Sequence, residues 1–200
     1  MSAKHFIDFV QHCRLPIFFS IVFFFHISEF ILSYIYHPKS TSWSSFLLSK
    51  PYLLAMTLAL SEYSLYNYFS IPKDSFFFSL ISTFGFTVVV VSDFIRKLSI
   101  ITAGRSFSHQ IATKKSTEHT LITSGIYSFS RHPSYFGWFY WSIGTQILLA
   151  NPLSFVVFCI ASWKFFADRI PYEERFLIHI FGQRYIDYKH RVPTRIPFMH

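Results

Sequence analysis

The chain has 200 residues, of which 52% are hydrophobic, 22% aromatic and only 14% charged, with a mean hydropathy of +0.35. That composition excludes an ordinary soluble domain and points to an all-α, polytopic membrane protein built as a single domain over 1–200. The net charge of +8 is uneven: residues 1–95 carry five Lys/Arg against five Asp/Glu, whereas residues 96–200 carry thirteen against five. The basic residues lie in short connections between apolar segments rather than along one soluble face, which argues against nucleic acid and for anionic lipid or an anionic ligand.

Five membrane spans are predicted. The first, about 15–36, has the length needed to cross a hydrocarbon core of roughly 30 Å. It lacks an A-x-A-like cleavage site and is expected to act as an uncleaved anchor. Inside it, His26 and Glu29 share one helical face at i, i+3. An ionisable pair there is costly unless satisfied within the bundle, so it either ties this span to its neighbours or serves the reaction centre. A polar loop follows. The second span, about 52–70, holds Glu62 at its middle, with His26 as a candidate partner, and tyrosines suited to an interfacial belt. The third, about 75–98, ends in Asp93 and Arg96, spaced to pair with each other at the membrane surface.

A long polar connection, 99–134, separates these spans from two shorter ones, about 135–150 and 153–166. Asn151-Pro152 joins the last two as a tight helical hairpin. The tail, 167–200, carries Phe176, Leu177, Ile180, Phe181, Tyr185 and Tyr188 at near-helical spacing. It is predicted to form an amphipathic helix, broken near Gly182. Lysine and arginine crowd the 99–134 connection and the tail and are missing from the Asn151-Pro152 turn, which places connection and tail on the cytosolic side. Cys13 and Cys159 lie far apart in apolar surroundings and are expected to be buried free thiols.

Metal-ligand spacings, a G-x-S-x-G elbow and a G-x-G-x-x-G loop are all absent from the sequence. Two polar groups remain. Arg131-His132-Pro133 is at once a normal helix start with a snorkelling arginine and, with Tyr135 and the close-packing Gly137, a cup for a flat ligand such as adenine. Asp168, Arg169, Glu173 and Glu174 could simply be a charged helix start. That reading leaves unexplained an arginine able to clamp a carboxylate and two adjacent acids able to hold a ribose hydroxyl or a cationic centre.

Taken together, Gly125-Ile126-Tyr127, the run Arg131-His132-Pro133-Ser134-Tyr135-Phe136-Gly137 with the following Trp-Phe-Tyr-Trp-Ser-Ile-Gly-Thr-Gln, and Asp168-Arg169 with Glu173-Glu174 closely resemble isoprenylcysteine carboxyl methyltransferases. The likeness extends to Phe-His-Ile-Ser-Glu in the first span, Asn-Pro at the hairpin and Phe-Gly-Gln-Arg-Tyr-Ile-Asp-Tyr-Lys in the tail. The resemblance implies S-adenosylmethionine as cofactor, with S-adenosylhomocysteine as product. It implies prenylated CaaX proteins such as small GTPases as substrates, and an endoplasmic reticulum membrane location with the active site facing the cytosol. Carried residue by residue, it assigns the cofactor to Ala112, His119, Thr120, Leu121, Ile122, Tyr127, His132, Pro133, Ser134, Tyr135 and Glu173, and the substrate carboxylate and catalysis to Arg169. It implies no metal, and it relates this chain to the last five spans of longer animal forms.

Two departures stand out: Ala112, where animal members carry glutamine, and Pro171, where a helix former is expected. The alternatives are a related membrane methyltransferase acting on a phospholipid amine, which would give Arg169 no clear role, a reductase using NADPH, and a non-enzymatic membrane scaffold or transporter. The composition leaves the oligomeric state open.

Overall fold

A computed structural model of the protein describes residues 2–69, 75–109 and 120–199. Among them every regular element is helical: α1 (Ala3–His12), α2 (Arg14–Tyr36), α3 (Lys50–Tyr68), α4 (Phe76–Ala103), α5 (Ile126–Phe129), α6 (Pro133–Leu149), α7 (Pro152–Phe181) and α8 (Gln183–Arg191), with short 3-10 turns at Trp43–Phe46 and Gly104–Ser106. By length and composition, α2 and the Phe76–Ser106 segment that contains α4 could each cross a membrane. Their outer faces display Phe23, Phe24, Phe84 and Phe94. Large apolar side chains turned outward are what a lipid surround calls for and what a soluble fold avoids.

The bundle is assembled around α6. Trp141, Thr145, Gln146, Leu148 and Leu149 are sealed from the surface, and Trp141 stacks on Phe25 of α2 at 4.0 Å between centroids. Against α4 the approach is closer than side chains permit. A Cβ added to Gly137 would lie 2.7 Å from the Ser92 carbonyl oxygen and 2.9 Å from the Arg96 nitrogen, and one on Gly85 would strike the α6 backbone at Leu148. Gly137 therefore serves contact between helices, as small residues do in membranes, and not the approach of a ligand that its place in the sequence suggested.

Partner choice across the bundle also differs from expectation. His26 meets the Phe46 carbonyl at 2.6 Å and the Tyr52 hydroxyl at 2.7 Å, while Glu62 accepts the Leu153 and Ser154 N–H groups at 3.0 and 2.7 Å, so the two do not pair. Glu62 thereby fills the capping role at the start of α7, where Asn151 has no side-chain cap of its own. Asn151 instead donates to the Ala59 carbonyl at 2.8 Å and fastens the hairpin turn to α3. Asp93 pairs with Lys97 at 3.2 Å, and Arg96 turns inward to Glu29. Cys13 and Cys159 are free and half-buried, less enclosed than expected.

Two further differences concern the ends of elements. A short amphipathic α1 precedes the first predicted span and inserts Val10 into the core. The fifth predicted span and the tail helix are one helix, α7, which runs through Pro171 without ending. Proline there removes the hydrogen bond to the carbonyl at position 167, but Phe166, Ile170 and Glu174 of the same helix are all buried, so tertiary packing holds it. The break comes where expected, at Gly182, whose φ of +60° suits glycine.

Candidate active site

Residues that lie far apart in sequence meet where α6 begins. The chain enters α6 through Ser130, which is fully buried and whose hydroxyl donates to the Thr194 carbonyl at 2.7 Å, and through the Arg131 N–H, which donates to the Pro193 carbonyl at 3.1 Å. The C-terminal segment is thus laid back across the α6 start. Pro133 takes the first helical position, where its missing N–H costs nothing.

Glu174 is the hub of this junction. Its carboxylate is 3% exposed and accepts from Arg131 Nε at 2.6 Å, Lys189 Nζ at 2.5 Å and the Tyr185 hydroxyl at 3.3 Å, with His132 Nε2 at 3.1 Å. Burial alone would raise this carboxyl; hydrogen bonds from His132, Lys189 and Arg131 outweigh it and hold Glu174 well below the usual carboxylate range. Arg131 also reaches the Val192 carbonyl at 3.1 Å, and Tyr188 donates to the Tyr127 carbonyl at 2.7 Å. Burial pushes the phenols of Tyr127, Tyr185 and Tyr188 upward, so all three remain protonated donors at neutral pH.

Above this clamp lies a cleft. Thr120, Leu121, Ile122, Tyr127, His132, Pro133, Ser134, Tyr135 and Glu173 all line it, together with Leu177, Ile180 and Phe181 of α7. Nine of the eleven positions proposed from sequence for the cofactor are therefore gathered at one place. The other two, Ala112 and His119, fall outside the described residues. Adjacent carboxylates divide by helical geometry: Glu173 faces the cleft while Glu174, about 100° further round α7, points into the clamp.

Arg169 stands beside the cleft rather than on its wall. Its Nε donates to the Tyr135 hydroxyl at 2.9 Å and its Nη2 to the His109 carbonyl at 2.7 Å; Tyr135 in turn donates to Glu173. Nη1 takes no partner among the described residues. His132 and Tyr135 stack in parallel at 5.4 Å, so His132 presents a ring face while its Nε2 is occupied by Glu174. Sequence reasoning singled out Glu174 as a possible ligand contact and Glu29 as a residue to be satisfied within the bundle, but not their partners: Glu174 serves the clamp, and Glu29 ties α2 to Arg96 and Lys97 of α4 in the cluster described below.

A helical bundle with apolar outer faces and a charged clamp buried beneath a cleft of mixed apolar and charged character has the make-up of an intramembrane enzyme. A model of the isoprenylcysteine carboxyl methyltransferase family matches residues 84–179. Protein-S-isoprenylcysteine O-methyltransferase B of Arabidopsis thaliana is 44% identical over 187 residues, covering 90% of this chain and 91% of that protein. The Homo sapiens protein-S-isoprenylcysteine O-methyltransferase is 45% identical, covering 88% of this chain but 62% of its own length. Among solved structures, a eukaryotic intramembrane Ras methyltransferase, isoprenylcysteine carboxyl methyltransferase, superposes with a TM-score of 0.86 at 38% identity, covering 97% of this chain and 74% of that one. The chain belongs to the isoprenylcysteine carboxyl methyltransferase family, and it is an enzyme of that class.

Proposed function

We propose that this protein uses S-adenosylmethionine to methyl-esterify the C-terminal carboxylate of prenylated cysteine in CaaX-processed proteins, small GTPases among them. The observation that carries the reading is that the cleft lined by His132, Tyr135 and Glu173 and an arginine whose Nη1 takes no partner among the described residues meet at one tyrosine hydroxyl. The residues present fit the donor. Leu121, Ile122, Leu177 and Ile180 offer apolar walls to a flat ring, and Glu173 offers a carboxylate to a cationic centre. Arg131, which also lines the cleft, has a buried Nη2 with no partner among the described residues, a donor suited to an anionic group. Thr120, Tyr127, His132, Pro133, Ser134 and Tyr135 complete the holding set, with Ala112 and His119 proposed on the family resemblance alone.

When bound, S-adenosylmethionine supplies a methyl group activated on a sulfonium. The protein's part is to position the acceptor. A carboxylate is ionised at neutral pH, so no general base is needed. Arg169 orients it through Nη1, and its other two bonded nitrogens keep the guanidinium from closing on both carboxylate oxygens and masking the nucleophile. The cleft also strips water from the acceptor, and alignment plus partial desolvation account for most of what the chemistry requires.

The prenyl chain, at about 0.8 kcal/mol per buried CH₂, stays on the lipid side. In this arrangement α2, α3, α4, α6 and the first half of α7 cross the membrane, here the endoplasmic reticulum, and the basic tail and the connection after α4 face the cytosol. The test is methyl transfer by membranes containing the protein. Base-labile methyl ester on a prenylcysteine analogue is expected; no ester there, with methylation of an ethanolamine lipid instead, would overturn the reading.

A further inference from the structure

The mechanism above leaves the most deeply buried charged cluster unused. Glu29, at mid-α2, is fully buried and accepts from Arg96 Nε at 2.8 Å, Arg96 Nη2 at 2.7 Å and Lys97 Nζ at 2.5 Å, with His109 Nε2 at 2.8 Å. Glu29 joins α2 to α4, but apolar packing could do so at least as well as a carboxylate stripped of water, so helix adhesion alone does not account for the cluster. Two of its members lead to the active site. Arg96 spends its remaining Nη1 on the Ser134 carbonyl, at 3.0 Å, in the first turn of α6. His109 is held by its imidazole to Glu29, and its own carbonyl accepts Arg169 Nη2 at 2.7 Å. The 107–109 segment is pinned a second time where His37 donates to the Phe107 carbonyl.

Building on the assignment of Arg169 to the acceptor, we infer that His109 is a positioning residue for that arginine and that Glu29 is its anchor. A carboxylate acceptor requires the His109 proton on Nε2, and that bond fixes where the His109 carbonyl stands. The carbonyl then occupies one guanidinium nitrogen while Tyr135 occupies another, so among the described residues a side chain with several free torsions keeps only Nη1 unpartnered and available to substrate. Released from His109, the guanidinium can swing away or clamp both acceptor oxygens, and either change slows methyl transfer.

The experiment is a double-mutant cycle on the full-length protein in detergent, with initial rates measured on a prenylcysteine analogue and S-adenosylhomocysteine binding measured separately by calorimetry. His109→Ala should lower kcat/KM for the acceptor by roughly tenfold or more, leave S-adenosylhomocysteine Kd within about twofold, and add nothing in an Arg169→Ala background. His109→Gln, which keeps an N–H donor within reach of Glu29, should recover most of the rate. Where alanine fails to fold, His109→Asn, polar but too short to reach Glu29, runs the same cycle.

Losses that multiply in the double variant, or a parallel rise in Kd, overturn the positioning role and leave the acceptor assignment standing. An Arg169→Ala variant with unchanged acceptor kinetics overturns both.

Discussion

Glu174 offers the sharpest energetic test of how the tail and the α6 start are joined. Its side chain is 4% exposed and that of Arg131 is 2% exposed, so Glu174→Ala leaves a buried guanidinium without its counter-charge, held only by the Val192 carbonyl. Removing one partner of such a pair costs about 3–5 kcal/mol. The Lys189 contact adds less, because that side chain is 38% exposed and can rehydrate. For a chain of this size, each kcal/mol corresponds to roughly 2–4 °C in Tm, so a fall on the order of 10 °C is expected. Glu174→Gln keeps the shape and one acceptor oxygen and should fall between. Thermal unfolding in detergent measures the shift, and S-adenosylhomocysteine binding should weaken with it because His132 loses its partner. A change in Tm below about 3 °C for the alanine variant would contradict the clamp, since it would place the cost under the range for a broken buried pair.

The same carboxylate sets an acid limit. Its folded value lies below the ordinary one, so its stabilisation is complete above about pH 4.5 and fades as the pH falls toward the folded value. Wild-type Tm should therefore drop more steeply than that of Glu174→Gln on acidification below that point, and parallel curves would exclude the effect. Gly137→Ala drives a methyl group into the α4 backbone at Ser92 and Arg96 and should cost about 1–3 kcal/mol. Because Ser134 is held by Arg96 one turn away, ligand binding at the α6 start should suffer too. An unchanged Tm in that variant would mean the helices do not pack as closely as described.

Much of this organisation is written in local sequence. Pro133 after Arg131-His132 marks the start of α6, Asn151-Pro152 marks the hairpin turn, and Gly182 marks the end of α7, because each acts through its own backbone. Partner choice is different in kind. His26 and Glu62 could be matched by charge, yet the structure gives Glu62 to the α7 N-terminus and His26 to Phe46 and Tyr52, pairings that depend on how helices far apart in sequence are rotated. Pro171 carries a strong local signal for a helix end, and burial of Phe166, Ile170 and Glu174 overrides it. The α1 helix is legible in its amphipathic pattern but escaped notice because its ten residues are too few to span a membrane and run almost directly into the first span.

In the site, Glu173 and Arg169 were recognisable from the resemblance. The duty of Glu174 was not, because it depends on Arg131, His132, Tyr185 and Lys189 converging on one carboxylate. Nor did spacing reveal that Glu29 would reach across 80 residues to His109.

In the proposed reaction donor and acceptor are held by separate residues, the cleft for one and Arg169 for the other. Arg169→Ala tests it most directly, with acceptor kinetics and S-adenosylhomocysteine Kd measured on the same preparation. Acceptor kcat/KM should fall with Kd within about twofold of wild type, since Arg169 bonds to Tyr135 and His109 beside the cleft and does not line it. A Kd that rises in step with the kinetic loss would move Arg169 into the donor site and contradict the division.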